Sequence, residues 1–332
     1  MITEIRKIDG ESLELAKKIL LSHGVVGMPT ETVYGLGAIG TDPVAVKKIY
    51  EIKGRPADNP LIAHVHKEYD IEKLVIVERE YVRDLIEKFM PGPLTLVLKS
   101  RRVVCDEATC GGDTLAIRMP SHEGCRKFLE YVDAPVVAPS ANLSKHTSPV
   151  TAEHVFADLN GKIPLILDGG KCSAGIESTV LDVTGEIPRI LRAGLVTREM
   201  IAETVGACVI AEHKEGDKVR SPGVKYRHYR PKCDTALYMS GDISSAERRY
   251  EEEKAAGRRA YIMAESKVCA ALRKKGITDL LDLGASGEEI AYNLYDKLLE
   301  GEKKADIIIA VDFGREDGVY LGVTNRLRKS CG

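Results

Sequence analysis

The chain has 332 residues, 44% of them hydrophobic, with 50 acidic against 48 basic side chains and a formal net charge of -2. That length exceeds one ordinary core and points to two domains, and the apolar content excludes a disordered chain. Balanced charge excludes a global basic field for nucleic acid and leaves RNA only a local patch.

The opening residues carry acids throughout and lack the apolar core of a signal peptide. No apolar run approaches the roughly 20 residues that span a bilayer. Eight cysteines are scattered without a C-x-x-C pair. The expectation is a cytoplasmic, membrane-free protein with reduced thiols and no metal site of its own. Ser12 to Ser22 places Leu13, Ala16, Ile19 and Leu20 at helical spacing, and Gly24 supplies a stop. Val25 and Val26 open a short apolar segment that runs into Pro29. Asp42-Pro43 predicts an N-cap followed by proline at the first helical position, for a helix ending at Gly54. Strands are expected at Leu61–Val65, Leu94–Leu98, Pro135–Ala138, Leu165–Leu167, Ser178–Val183 and Ile190–Leu191. Helices are expected at Val82–Phe89 and from Thr151 through Leu159. Residues 1–211 therefore read as an α/β domain with a sizeable sheet.

From Glu212 to Lys232 the chain turns polar, with seven Lys or Arg against three acids. Residues 212–234 are assigned as a linker. Residues 235–332 alternate again: strand Ala236–Met239, helix Ser244–Ala256, strand Arg259–Met263, helix Glu288–Leu299 and strand Asp306–Val311. That predicts a smaller, doubly wound, Rossmann-like α/β domain.

The densest chemistry lies in Pro29-Thr30-Glu31-Thr32-Val33-Tyr34-Gly35-Leu36-Gly37, readable as a self-capping polar turn or as a ligand loop. Gly35 to Gly40 matches G-x-G-x-x-G literally. The match is weak, because polar residues separate the strand from the glycines and the next helix starts only at Pro43. Lys53-Gly54-Arg55-Pro56 with Asn59-Pro60 puts two cations on a constrained loop. They suit either a phosphate site or the capping of a helix C-terminus. Arg118 lies in the apolar run Thr114 to Pro120. It reads as a surface ion pair or, if buried, as a carboxylate ligand. Ser140-Ala141-Asn142-Leu143-Ser144, with Ser148, follows a strand and offers hydroxyls and free backbone N–H groups to a phosphate or nucleoside. Ser178, Thr179 and Arg192 add two hydroxyls and a cation. There is no Walker A spacing and no G-x-S-x-G elbow, which argues against a P-loop enzyme and a serine hydrolase.

In order, PTETVYGLG, KGRP with NPL, PGPLTLVL, IRMP, PSANLS, ESTVLD and ILRAG resemble the threonylcarbamoyl-AMP synthase family, built on the YrdC-like domain. SPGVKYRHYRP and TNRLRKS resemble the linker and C-terminus of its longer, two-domain form. The resemblance implies a YrdC-like twisted mixed sheet with helices. It also implies an enzyme that joins L-threonine, bicarbonate or CO2, and ATP into threonylcarbamoyl-adenylate and pyrophosphate, with Mg2+ accompanying ATP. A separate tRNA threonylcarbamoyl transferase complex would use the product. By motif position, Thr32, His64, Arg118 and Ser178 would hold threonine. Lys53, Arg55, Asn59, Thr114, Ser140, Ser148, Arg192 and Tyr226 would hold ATP, with Lys53 and Arg55 as catalytic groups and Tyr226 in a linker that closes over the nucleotide. Two positions depart from the family pattern: Lys145 stands where a glycine is usual, and Ala193 where a proline is commoner. The family reading allows a weak RNA contact; the competing reading is an RNA-binding maturation factor without adenylate synthesis.

Overall fold

Local capping chemistry sets the first element boundaries. The computed structural model describes residues 1–211 and 229–332. Strand β1 (Glu4–Lys7) leads into helix α1 (Gly10–Leu21), which opens with a reciprocal capping box between Asp9 and Ser12. Strands β2 (Val26–Met28) and β3 (Gly35–Ile39) flank the polar Pro29 to Tyr34 segment. Helix α2 (Pro43–Lys53) has the predicted signals: the Asp42 carboxylate accepts from the Val44 and Ala45 N–H groups, and Gly54 ends the helix at φ 59°.

The first unit continues with β4 (Ile62–His64), β5 (Val75–Ile76), α3 (Tyr81–Phe89), β6 (Leu94–Ser100), α4 (Asp106–Thr109) and β7 (Thr114–Arg118). After these come α5 (Glu123–Val132), β8 (Val136–Ala138), α6 (Ala152–Leu159), β9 (Leu165–Asp168), β10 (Thr179–Asp182), β11 (Arg189–Arg192), α7 (Arg198–Val205) and β12 (Val209–Ile210). Their strands form one mixed sheet in the order β1-β9-β2-β3-β8-β4-β7-β6-β10-β11-β12, with β5 on β6. Helices α1 and α5 cover one part of one face. There Leu13, Ala16, Leu20, Phe128 and Leu129 pack with Val136, Ala138, Leu165 and Leu167 in a single buried cluster.

The glycines of the G-x-G-x-x-G match lie in or directly after β3, not in a nucleotide-binding turn. A Cβ at Gly37 would stand 2.8 Å from Val136 Cγ1, and one at Gly40 2.9 Å from Val137 Cγ1. They let β3 approach β8 closely, which accounts for the motif without a dinucleotide.

The second unit holds β13 (Asp234–Tyr238), α8 (Ile243–Ala255), β14 (Ala260–Ala264), α9 (Ser266–Lys274), β15 (Leu280–Asp282), α10 (Gly287–Lys304), β16 (Ile307–Val311) and α11 (Val319–Cys331). Four parallel strands run in the order β13-β16-β14-β15, which is the α/β architecture expected. Its core joins Ala246 and Tyr250 of α8 and Cys269 and Leu272 of α9 to Ile262, Ile307 and Ile309 of the sheet.

By contacts the first unit comprises Met1–Ser144, Pro149–Ser173 and the chain from Glu177 to the undescribed segment. The second comprises Lys145–Ser148, Ala174–Ile176 and the chain beyond that segment. Lys145 keeps the turn that a glycine usually makes: its φ is 75°, in the left-handed region. Its carbonyl accepts from the Arg230 N–H at 2.9 Å.

Candidate active site on one face of the large sheet

Strand register decides which side chains share a face. His64 pairs with Arg118 and with Val136; Ile62 pairs with Ala116 and with Ala138. Gly35 bridges Ser140, Lys99 pairs with Thr114, and Val180 pairs with both Thr95 and Arg192. Alternation therefore puts His64, Thr114, Arg118 and Ser140 on one face, with Thr95 among them; at Arg192 the register shifts, and its side chain joins that face through Ser178 and Thr95. Ile62, Val97, Ala116 and Val180 form a small buried apolar cluster on that face, joined by Leu191.

Arg118 organises one side of the face. Its side chain is only 4% exposed. Nη1 donates to Thr32 Oγ1 at 2.7 Å and Nε to the Gly92 carbonyl at 3.4 Å. The Thr32 hydroxyl is backed by Thr30 Oγ1 at 2.9 Å, and the Thr30 hydroxyl in turn donates to the Val33 carbonyl at 2.7 Å. Nη2 stands 2.8 Å from Glu31 Oε1. That contact is an ion pair without hydrogen-bond alignment: Nη2 and both Glu31 oxygens lack hydrogen-bond partners. The carboxylate expected beside a buried arginine is thus already present, from the chain itself. His64 Nδ1 meets the Ile62 carbonyl at 3.0 Å. Burial, helped by the Arg118 charge, pushes the imidazole down to about 3, so it is neutral at pH 7.

A second hydroxyl–arginine unit sits at β10 and β11. Ser178 Oγ is 2.7 Å from Thr95 Oγ1. Arg192 Nε donates to the Ser178 carbonyl at 3.1 Å and Nη2 to its hydroxyl at 3.2 Å. Gly194 makes this closeness possible, since a Cβ there would stand 2.5 Å from Thr179 N. Ala193 leaves that approach intact.

The expected phosphate loop is built differently from the sequence reading. Lys53 does not cap its own helix. Its ammonium is fully buried and donates to the carbonyls of Ser140, at 2.5 Å, and Asn142. Burial first, then the Arg55 charge, holds it well below the usual lysine range, while Asp158 pulls the other way. Ser140 Oγ donates to Asn142 Oδ1 at 2.5 Å, and Asp158 accepts from Leu143 N at 3.1 Å. Lys53 therefore ties α2 to the loop after β8. Arg55 donates to the carbonyls of Asn59, at 3.2 Å, and Pro60, at 3.3 Å. Asn59 is 1% exposed, and neither atom of its side-chain amide has a hydrogen-bond partner. A buried amide without a partner is uncommon in a folded protein.

Hydrogen bonds thus join Thr32 to Arg118, Ser178 to Arg192, Lys53 to Ser140 and Arg55 to Asn59, and register adds His64 and Thr114. Ser148 is buried in the short segment described with the second unit. Tyr226 and its proposed closure fall outside the described residues. Glu31, Thr95 and Asn142 belong to the site although sequence reasoning gave them no role. Their signal was position inside the PTETVYGLG, PGPLTLVL and PSANLS segments. Among the described residues no group of three or more His, Cys, Asp or Glu could hold a metal ion, and no helix is long and apolar enough to cross a membrane.

Two family models match the chain. One, described as telomere recombination, covers residues 18–194; the other, described as threonylcarbamoyl-AMP synthase, C-terminal domain, covers residues 196–332. The threonylcarbamoyl-AMP synthase of Pyrococcus abyssi is 39% identical over 98% of this chain and 96% of its own length. That of Bacillus subtilis is 38% identical over 100% of this chain and 96% of its own. The crystal structure of P. abyssi Sua5 complexed with L-threonine superposes with a TM-score of 0.88 at 38% identity, covering 99% of this chain and 96% of that one. E. coli YciO, at 22% identity and a TM-score of 0.51, covers 58% of this chain and 95% of its own, and shares the fold.

Proposed function

Because the chain belongs to the threonylcarbamoyl-AMP synthase family in its two-domain form, we infer that it condenses L-threonine, CO2 or bicarbonate, and ATP into threonylcarbamoyl-adenylate, for threonylcarbamoyladenosine modification of tRNA. The observation that carries this reading is the match, over nearly the full chain, to a relative solved with L-threonine.

In this reading Arg118 receives the threonine carboxylate while Thr32, His64 and Ser178 surround the rest of the molecule. Threonine binds as its zwitterion; its ammonium first gives a proton to solvent, and the free amine then adds to CO2, forming the N–C bond and losing a second proton to solvent. A carbamate oxygen then attacks the α-phosphorus of ATP; a P–O bond forms, the bond to the β-phosphate bridge breaks, and pyrophosphate leaves. Neither step needs a covalent enzyme nucleophile. What the protein supplies is orientation, charge and exclusion of water. A neutral His64 suits a site that must not hold the amine as an ammonium when it reacts. Arg55, Asn59, Thr114, Ser140, Ser148 and Arg192 take the nucleotide, with Tyr226 from the linker. The lone amide of Asn59 offers two N–H donors and an acceptor oxygen. Lys53 acts by fixing the Ser140–Asn142 loop as well as by its charge. ATP enters as its magnesium complex, with the ion held by phosphates and water. The reading places the enzyme in the cytoplasm, upstream of a tRNA threonylcarbamoyl transferase complex.

Isotopically labelled bicarbonate tests it. Label should appear in an adenylate of the expected mass only when threonine and ATP are both present. Label that stays in the inorganic pool under all conditions would overturn the assignment.

A further inference from the structure

The side chain of Glu31 is 6% exposed, neither carboxylate oxygen has a hydrogen-bond partner, and Oε1 stands 2.8 Å from Arg118 Nη2. Buried carboxylates ordinarily gather backbone or hydroxyl donors. This one faces a cation instead. Among the described residues, His64, Cys125 and Cys172 interact with the pair, and all three are uncharged at neutral pH. His64 is kept neutral by burial and by Arg118. The thiols of Cys125 and Cys172 are pushed up mainly by burial, with the Glu31 charge adding to it. Arg118 and Glu31 therefore form a closed unit of zero net charge.

The guanidinium is also held from three directions: Nε by the Gly92 carbonyl, Nη1 by Thr32 and Nη2 by Glu31. Each Nη carries two N–H groups, so hydrogens remain for an incoming carboxylate. Glu31 Oε1 meets the Arg118 guanidinium, so the residue acts through Arg118.

We propose that Glu31 is a positioning and specificity-determining residue: it fixes Arg118 and sets the net charge of the carboxylate site to zero, so that the site takes a zwitterionic amino acid in preference to a simple carboxylate anion. This rests on the threonine reading given above. An unbalanced charge is expensive in buried surroundings. A neutral pair admits a ligand whose own charges cancel, as those of threonine do. An arginine without Glu31 would be best neutralised by an anion.

The test compares two ligands on three proteins. Calorimetry at pH 7 measures binding of L-threonine and of the matching dihydroxybutanoate, in which a hydroxyl replaces the ammonium. The readout is the ratio of the two affinities, because a merely structural defect weakens both alike. Glu31→Gln keeps the shape and removes the charge. It should shift the ratio toward the hydroxy acid by at least about tenfold. Glu31→Asp keeps the charge but moves it away from Nη2, and should shift the ratio in the same direction by less. An unchanged ratio in both variants, or an Asp variant that shifts as far as the Gln variant, overturns the proposal. Should the Gln variant not fold, the Asp variant decides alone: a shift toward the hydroxy acid supports the proposal and no shift overturns it. Wild-type protein that binds no threonine overturns the reading beneath it, which a flat ratio would not.

Discussion

Replacing Arg118 by Gln separates its two duties, because stability and ligand binding rest on different contacts. The substitution leaves Glu31 buried at 6% exposure with no cation beside it. Removing one partner of a buried ion pair costs about 3–5 kcal/mol. For a protein of this size each kcal/mol lowers Tm by about 2–4 °C, so a fall of the order of 10 °C is expected. Threonine loses a charge-assisted contact worth about 1.5–3 kcal/mol, a weakening of roughly ten- to hundredfold. The double variant Arg118→Gln with Glu31→Gln removes both charges and should recover most of the stability. It should recover none of the threonine affinity. Thermal unfolding and calorimetry on the two variants give both numbers. A double variant as unstable as the single one would refute the ion-pair argument. Threonine binding that survives in either would refute Arg118 as the carboxylate partner.

His64 predicts a pH dependence. Its folded value of about 3 lies below the ordinary 6.5, so as pH falls the unfolded chain binds the proton first. The resulting stability is complete above about pH 6.5 and is lost as pH falls toward 3, by up to ~1.4 kcal/mol per pH unit. In urea unfolding between pH 7 and pH 4, His64→Gln should flatten this loss; parallel wild-type and variant profiles would count against it. Asn59→Leu removes an amide that has no partner within the protein. It should raise the stability of the ligand-free protein by about 1 kcal/mol while weakening ATP binding. Lower stability with full ATP affinity in urea and calorimetric measurements would mean that the amide serves the fold.

How far the sequence speaks depends on whether a signal is local. Helix α2 is legible from Asp42-Pro43 at one end and Gly54 at the other, since both caps act within a turn. Helix α5 is not: its N-cap is His122, whose Nδ1 accepts from Cys125 N at 3.2 Å, and histidine is no ordinary capping residue. Helix α11 escapes for another reason. Tyr320, Val323, Leu327 and Cys331 recur at helical spacing on its covered face, but Thr324, Arg326 and Ser330 are buried beside them and interrupt the apolar pattern. Strand β3 is disguised by glycines that look like a turn and in fact permit close packing against β8.

The candidate site divides the same way. The residue types of Thr32, Arg118, Ser178 and Arg192 are visible in their segments. That they share a surface depends on long-range register, above all on β8 lying between β3 and β4, which no local pattern encodes. Glu31 was hidden by plausibility, because a carboxylate among threonines reads as a turn cap until Arg118 is placed beside it.

The most direct test of the central claim is pyrophosphate release by the full-length protein, assayed with complete substrates and with each omitted in turn. The account predicts release only when L-threonine, bicarbonate, ATP and magnesium are all present. It also predicts loss of that release in Arg118→Gln at threonine concentrations that saturate the wild type. Equal release with threonine left out, or with serine in its place, would contradict it.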